Sequence, residues 1–258
     1  MKLYLRYLAI HFKSQMQYKT SFFLTLIGQF LTAFSTFLGI WVMFTRFNTV
    51  KGFTYTEVSL CYAVVLMAFS LAETFFRGFD TFPRMIGNGE FDRILVRPRS
   101  PVFQVLGSKI DFTRLGRLLH AAVIFAWAIP RSGVNWNAAN IATLCGMILA
   151  GSLVFAGLFL LYAGICFFTL DGLEVMNIFT DGSREFGRYP LSVYGDAVLR
   201  FLTFVVPIAL FLYYPFLTLL GKSDSLLWRI CPLFALLFLV PCYLVWRVGL
   251  LHYRSTGS

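Results

Sequence analysis

Charge is what this 258-residue chain has least of: Asp, Glu, Lys and Arg together make up 13% of it, about half the share of an ordinary globular domain. Hydrophobic residues make up 58%, with 30 Phe. A soluble domain of this length has no way to hide so much apolar surface. A membrane protein has no such need, because lipid is its solvent. Chemistry-bearing patterns are also missing. The five cysteines, Cys61, Cys145, Cys166, Cys231 and Cys242, all fall in apolar segments without metal-ligand spacing and read as small packing residues. His11, His120 and His252 form no metal motif. No serine elbow appears, and Gly221-Lys222 lacks the upstream glycine of a phosphate loop. The sequence therefore predicts no catalytic residue, no metal and no cofactor in this chain.

What is present is a series of long apolar runs. Residues 20–45 carry no charge, and 26 residues make a helix about 39 Å long, enough to cross a roughly 30 Å hydrocarbon core with tilt. Further spans are expected at 55–76, with Glu73 near its exit, at 105–129, whose first turns hold Asp111, Arg114 and Arg117, at 138–170, and at 226–248, with Pro232 and Pro241 inside. Small residues at 146, 150–152, 156–157 and 164 give the fourth span close-packing positions, either within the chain or against another subunit.

Residues 171–221 admit two topologies. In one, 171–196 is a loop and 198–220, broken by Pro207 and Pro215, is the fifth span. In the other, the fifth span is 168–188 and 190–220 dips into the outer leaflet without crossing. Both give about six spans, and hydropathy alone favours the first. The fold class is thus all-α integral membrane, a single transmembrane domain over 1–258.

The net charge of +10 reads as topology rather than nucleic-acid binding. Lys2, Arg6, Lys13 and Lys19 precede the first span, Arg77 to Arg117 follow the second, and Arg247 and Arg254 close the chain. The positive-inside rule makes these segments, and both termini, cytoplasmic. Residues 1–19 place Leu5, Leu8, Ala9, Phe12 and Met16 on one helical face, opposite Lys2, Arg6, Lys13 and Gln17. This pattern fits either an interfacial helix or a basic flank of the first span.

The polar stretch from Gly89 to Pro98 stands between two apolar segments. Gly87-Asn88-Gly89 signals a turn. Glu90 to Leu95 suits a short helix ended before Pro98, with Phe91, Ile94 and Leu95 as an apolar ridge. Such a helix is a grip for a soluble partner; the plainer reading is an ordinary charged connector. Of the charges near or within spans, Glu73 reads as interfacial. Asp171, Glu174, Asp181, Arg184 and Glu185 read equally as a translocation path, a subunit seam or interfacial residues.

With these landmarks in place, the chain resembles the small membrane permeases of bacterial ABC transporters of the exporter-like second type. The resemblance covers nearly the whole length. It rests on the basic amphipathic start, on Gly89-Glu90-Phe91-Asp92 with Leu95 and Arg97-Pro98, on Arg188-Tyr189-Pro190-Leu191-Ser192-Val193-Tyr194, and on Phe204-Val205-Val206-Pro207 with Tyr214-Pro215. Gly195 departs from it, where a proline is expected. The resemblance implies a coupling loop at 77–104, with Gly89, Glu90, Phe91, Asp92, Leu95 and Arg97 docking a separate dimeric ATPase that binds the ATP, and with Phe91 inserted into a pocket on that ATPase. It implies a re-entrant element on the outer face marked by Tyr189, Pro190, Pro207 and Pro215, and so favours the second topology. It implies a second permease subunit, identical or homologous, and a place in the bacterial plasma membrane. Rival readings are a self-sufficient secondary carrier, for which no inverted repeat is evident, and a membrane lipid-modifying enzyme, for which no interfacial His, Asp or Ser cluster is found.

Overall fold

The structure is a computed structural model that describes residues 2–169 and 174–254, and Asp171 therefore lies outside it. Among the described residues every regular element is helical. They are α1 (Lys2–Met16), α2 (Lys19–Arg46), α3 (Tyr55–Phe75), α4 (Arg77–Asp80), α5 (Phe82–Gly87), α6 (Glu90–Leu95), α7 (Pro101–Ser108), α8 (Leu115–Ala128), α9 (Ala138–Thr169), α10 (Glu174–Phe186), α11 (Asp196–Phe204), α12 (Ile208–Phe211), α13 (Tyr213–Leu219), α14 (Leu226–Ala235) and α15 (Leu239–His252). Five stretches are long and apolar enough to cross a membrane: α2, α3, Phe112–Arg131, α9 and Leu226–His252. A sixth candidate is the pair Asp196–Phe204 and Ile208–Leu219, bent by 87°.

α3 is the hub. A capping box starts it: the Thr54 hydroxyl accepts from Glu57 N while the Glu57 carboxylate accepts from Thr54 N at 2.7 Å. From Val58 to Thr74 it is buried almost throughout, against α8 on one side and α9 on the other. α9 runs 32 residues, about 48 Å. Its small residues serve packing within the chain. A Cβ at Gly151 would lie 2.7 Å from the Phe211 ring, and one at Gly164 would lie 2.8 Å from Trp246 N. Gly146, by contrast, faces open space.

α2 is the opposite case. It fully buries only Phe22, Ala33 and Ile40 and leaves much of its surface exposed. In α1 the apolar face is exposed, with Leu5 at 60% and Phe12 at 46%. The face turned to the protein is Tyr4, Tyr7, His11 and Gln15. Tyr4 donates to Phe75 O at 3.2 Å, His11 Nε2 to Gly107 O at 3.0 Å and Gln15 Nε2 to Ile110 O at 2.6 Å.

One expected boundary needs correcting. The third span does not begin at 105: α7 stops at Ser108, the chain is extended through Lys109–Asp111, and the span starts at Phe112. The break is held by tertiary bonds, Asp111 N to Thr74 O at 3.1 Å and Phe112 N to Gln15 Oε1 at 3.0 Å.

Candidate functional site

Two groups of residues stand out, and the first is the loop between α3 and the third span. Gly89 holds φ of +68°, a left-handed value that suits glycine, and turns the chain into α6. Gln104 Nε2 then closes the loop by donating to Ile94 O at 3.1 Å and Arg99 O at 3.0 Å. The expectation that Phe91 projects into a partner fails here. Phe91 is fully buried, with ring centroids 5.0 Å from Phe82, 5.1 Å from Tyr253 and 5.4 Å from Phe167. A ring placed where α5, α9 and α15 converge gains more from its own chain than from projecting into water. Asp92 accepts from the Tyr253 hydroxyl at 2.9 Å, and burial together with this carboxylate pushes the Tyr253 hydroxyl up to about 12. What α6 exposes is Glu90, Arg93 and Leu95, followed by Val96 at 84% and Arg97.

The second group is a network of charges between α3, α8 and α10. Glu73, two residues from the end of α3, is buried within the protein. It binds Arg117 at 2.6 Å and Arg77 at 2.9 Å, with Arg114 at 3.5 Å. Asp111 bridges Arg114 at 3.4 Å and Arg77 at 3.8 Å and accepts from Thr113 N and Oγ1 at 3.1 and 2.6 Å. Burial raises the Asp111 carboxyl, but the Thr113 bonds and the two guanidiniums outweigh it and hold the group below its ordinary value. On α10, Arg184 pairs with Asp181 at 3.3 Å and Glu185 at 3.0 Å, Arg188 pairs with Glu185, and the Arg184 guanidinium lies 4.9 Å from the Phe69 ring centroid. Asp181, Arg184 and Glu185 thus pair with one another along a single helix. Glu174 lies in α10, but its side chain, like Asp171, is outside what the structure describes.

Sequence reasoning passed over Arg117 and Arg188 as members of this network, because only the fold sets α8 beside α10. It also passed over His120. That residue is 2% exposed and ringed by Phe30, Phe34 and Phe37 at 5.1–6.0 Å.

The proline-marked segment forms a zigzag. Gly187 meets Cys61 and Val65 midway along α3. α11 approaches α10 at one point, with the Phe201 ring centroid 6.5 Å from that of Phe179. After the bend at Pro207, α12 and α13 carry the chain from Phe211, beside Phe155, to Phe216, beside Phe53. Pro190 and Pro215 are buried, and Tyr189 is half-buried.

Apolar helices of spanning length, with ion pairs gathered near one end of α3 and a tethered helical loop, describe a multi-pass membrane protein. The chain belongs to a family of that class: the family described as ABC-2 family transporter protein matches residues 30–257. It is accordingly a permease subunit of an ABC transporter, and membership implies association with an ABC ATPase. No curated protein and no solved structure matches the chain.

Proposed function

We propose that this chain is the membrane half of an ATP-driven exporter in the bacterial plasma membrane. In this reading both termini are cytoplasmic, the 77–104 loop docks the dimeric ATPase that binds ATP, and a second permease, identical or homologous, completes the translocation path. The observation that carries this reading is the construction of α6. Its outer edge, Glu90 and Arg93 with Leu95, Val96 and Arg97 following, is exposed, while Phe91 plants its inner edge among Phe82 of α5, Phe167 of α9 and Trp246 of α15. A push on that edge is passed directly to two spans, because a packed aromatic cluster moves as a body.

A path beside α2 is supported by its exposed Thr25, Thr32 and Ser35. Their hydroxyls bond back to carbonyls four residues earlier at 2.8–2.9 Å and so remain tolerable in a membrane. The direction of transport follows the exporter-like resemblance. Asp181, Arg184 and Glu185 line the proposed path, and residues 190–220 form its outer, re-entrant wall.

The test is copurification with the candidate ATPase and measurement of ATP hydrolysis in proteoliposomes. Leu95→Asp and Val96→Asp should weaken association at least about tenfold, the scale of losing 1.4 kcal/mol, without changing the unfolding temperature. Undiminished association of both variants would mean that the ATPase grips elsewhere.

A further inference from the structure

Between α2, α3, α8 and α10 lies a cavity of about 70 Å³, room for a few waters or one phosphate-sized group. Its polar lining is Thr32, Thr36, Tyr62, Arg117, Arg184 and Arg188. Among the described residues no carboxylate lines it. The acids that balance the arginines lie outside this lining: Glu73 on Arg117, Asp181 and Glu185 on Arg184, and Glu185 on Arg188.

The hydroxyls are already spent as donors. Tyr62 donates to Ala33 O at 3.0 Å, Thr32 to Gly28 O at 2.8 Å and Thr36 to Thr32 O at 3.3 Å. The guanidiniums are not. Arg184 Nε is buried and finds no acceptor among the described residues. Three planar cations on one small space match an oxyanion in geometry and charge. A neighbouring cavity of about 480 Å³ at the Glu73 end of α3 differs in kind, since it mixes Glu73, Asp80 and Asp181 with Arg77, Arg84 and Lys109 and so selects neither sign.

We propose that the arginine-lined cavity binds an anionic group, phosphate or carboxylate, of the transported molecule, which makes the substrate class an organic anion. The proposal deepens the permease reading and rests on it. The anion reaches the cavity past Thr32 and Thr36 on α2 and is held by Arg184 and Arg188, with Arg117 behind them. The same chemistry is offered by a free phosphate or carboxylate and by the headgroup of an anionic lipid.

The experiment uses the full chain in neutral detergent. Calorimetric titrations with inorganic phosphate and with acetate, at constant ionic strength, test the soluble anion. Native mass spectrometry with phosphatidylglycerol against phosphatidylcholine tests the headgroup. Binding of phosphate or acetate alone identifies a soluble anion as the source, and selective retention of phosphatidylglycerol identifies a lipid; either supports the site. Arg188→Gln should weaken whichever binds at least about tenfold, Arg188→Lys should recover part of the loss, and Arg200→Gln, on exposed α11, should change nothing. Thr32→Asp sets a carboxylate in the cavity without removing an arginine's partner, so it decides between site and no site if Arg188→Gln does not fold. No binding of any probe, or binding that neither Arg188→Gln nor Thr32→Asp weakens, overturns the proposal. ATPase copurification separates the two claims: an associated ATPase with no anion site sinks this proposal alone, and an anion site with no ATPase sinks the permease reading and the transport role with it.

Discussion

Phe91 shows how a residue can sit in a functional loop and still serve the fold. Its ring is locked among Phe82, Phe167 and Tyr253, so Phe91→Ala should destabilise the protein by about 3–5 kcal/mol. Unfolding in detergent would show this, beside a near-silent Val96→Ala on the exposed edge. Sequence spacing placed Phe91 on an apolar ridge but gave no means of telling which side of the ridge faces in, since the partners come from positions 82, 167 and 253. Asp111 makes a pH prediction. Its carboxyl is held below the ordinary value, so its contribution to stability is complete above the unfolded value, about 4, and is lost as pH falls through the lower folded value. Unfolding temperatures taken downward from pH 7 should fall in that acid window, and Asp111→Asn should flatten the fall. An unchanged acid limb would show that the Arg77 and Arg114 contacts contribute nothing.

Elements were legible where one-dimensional physics decides them. The ends of α2, α3 and α9 follow from long, mostly apolar runs, and each lies within a residue of its expected bound. The break before Phe112 was not legible. Apolar residues continue across it from α7, and the chain is pulled out of helix by Thr74 and Gln15, which are remote in sequence. The protein-facing stripe of α1 was missed for a related reason. Tyr4, Tyr7, His11 and Gln15 form a helical face, but its mixed polarity hides it from a search for apolar periodicity. At this scale the glycines of α9 give a direct test. Gly164→Val sets its branches against the backbone of Trp246, which cannot yield as a side chain does. A cost of about 1–3 kcal/mol should appear as a lower unfolding temperature, whereas Gly146→Ala, facing open space, should leave it in place. Equal effects at both positions would mean that α9 and α15 are not this closely packed.

Across the whole molecule, both chain ends fasten to the same segment. α1 bonds to Phe75 and Gly107, and Tyr253 bonds to Asp92. Five unbroken spans, an odd number, would leave the ends on opposite sides. In the topology proposed above, with both ends cytoplasmic, residues 174–222 supply one more net passage, and their contacts along α3 support it. Thr180 and Asp181 share a cavity with Glu73, Gly187 meets Val65, and Lys222 binds Glu57 at 2.8 Å beside the opposite end. In that topology α10 covers the inner half of the passage, and the re-entrant residues 190–220, folded within the outer half, complete it from Gly187 beside Val65 to Lys222 beside Glu57. Hydropathy could not separate a broken passage from a loop, because the prolines and charges that interrupt it are what the tertiary contacts absorb. The expected outcome is a labelling pattern. In a chain whose exposed Cys145 is replaced by Ala, Asn88→Cys and Arg254→Cys should react with an impermeant maleimide only in inverted vesicles. Asp224→Cys should react on intact cells. Reaction of Asn88→Cys and Arg254→Cys from opposite faces would remove the sixth passage and leave residues 174–222 as a structure confined to one side.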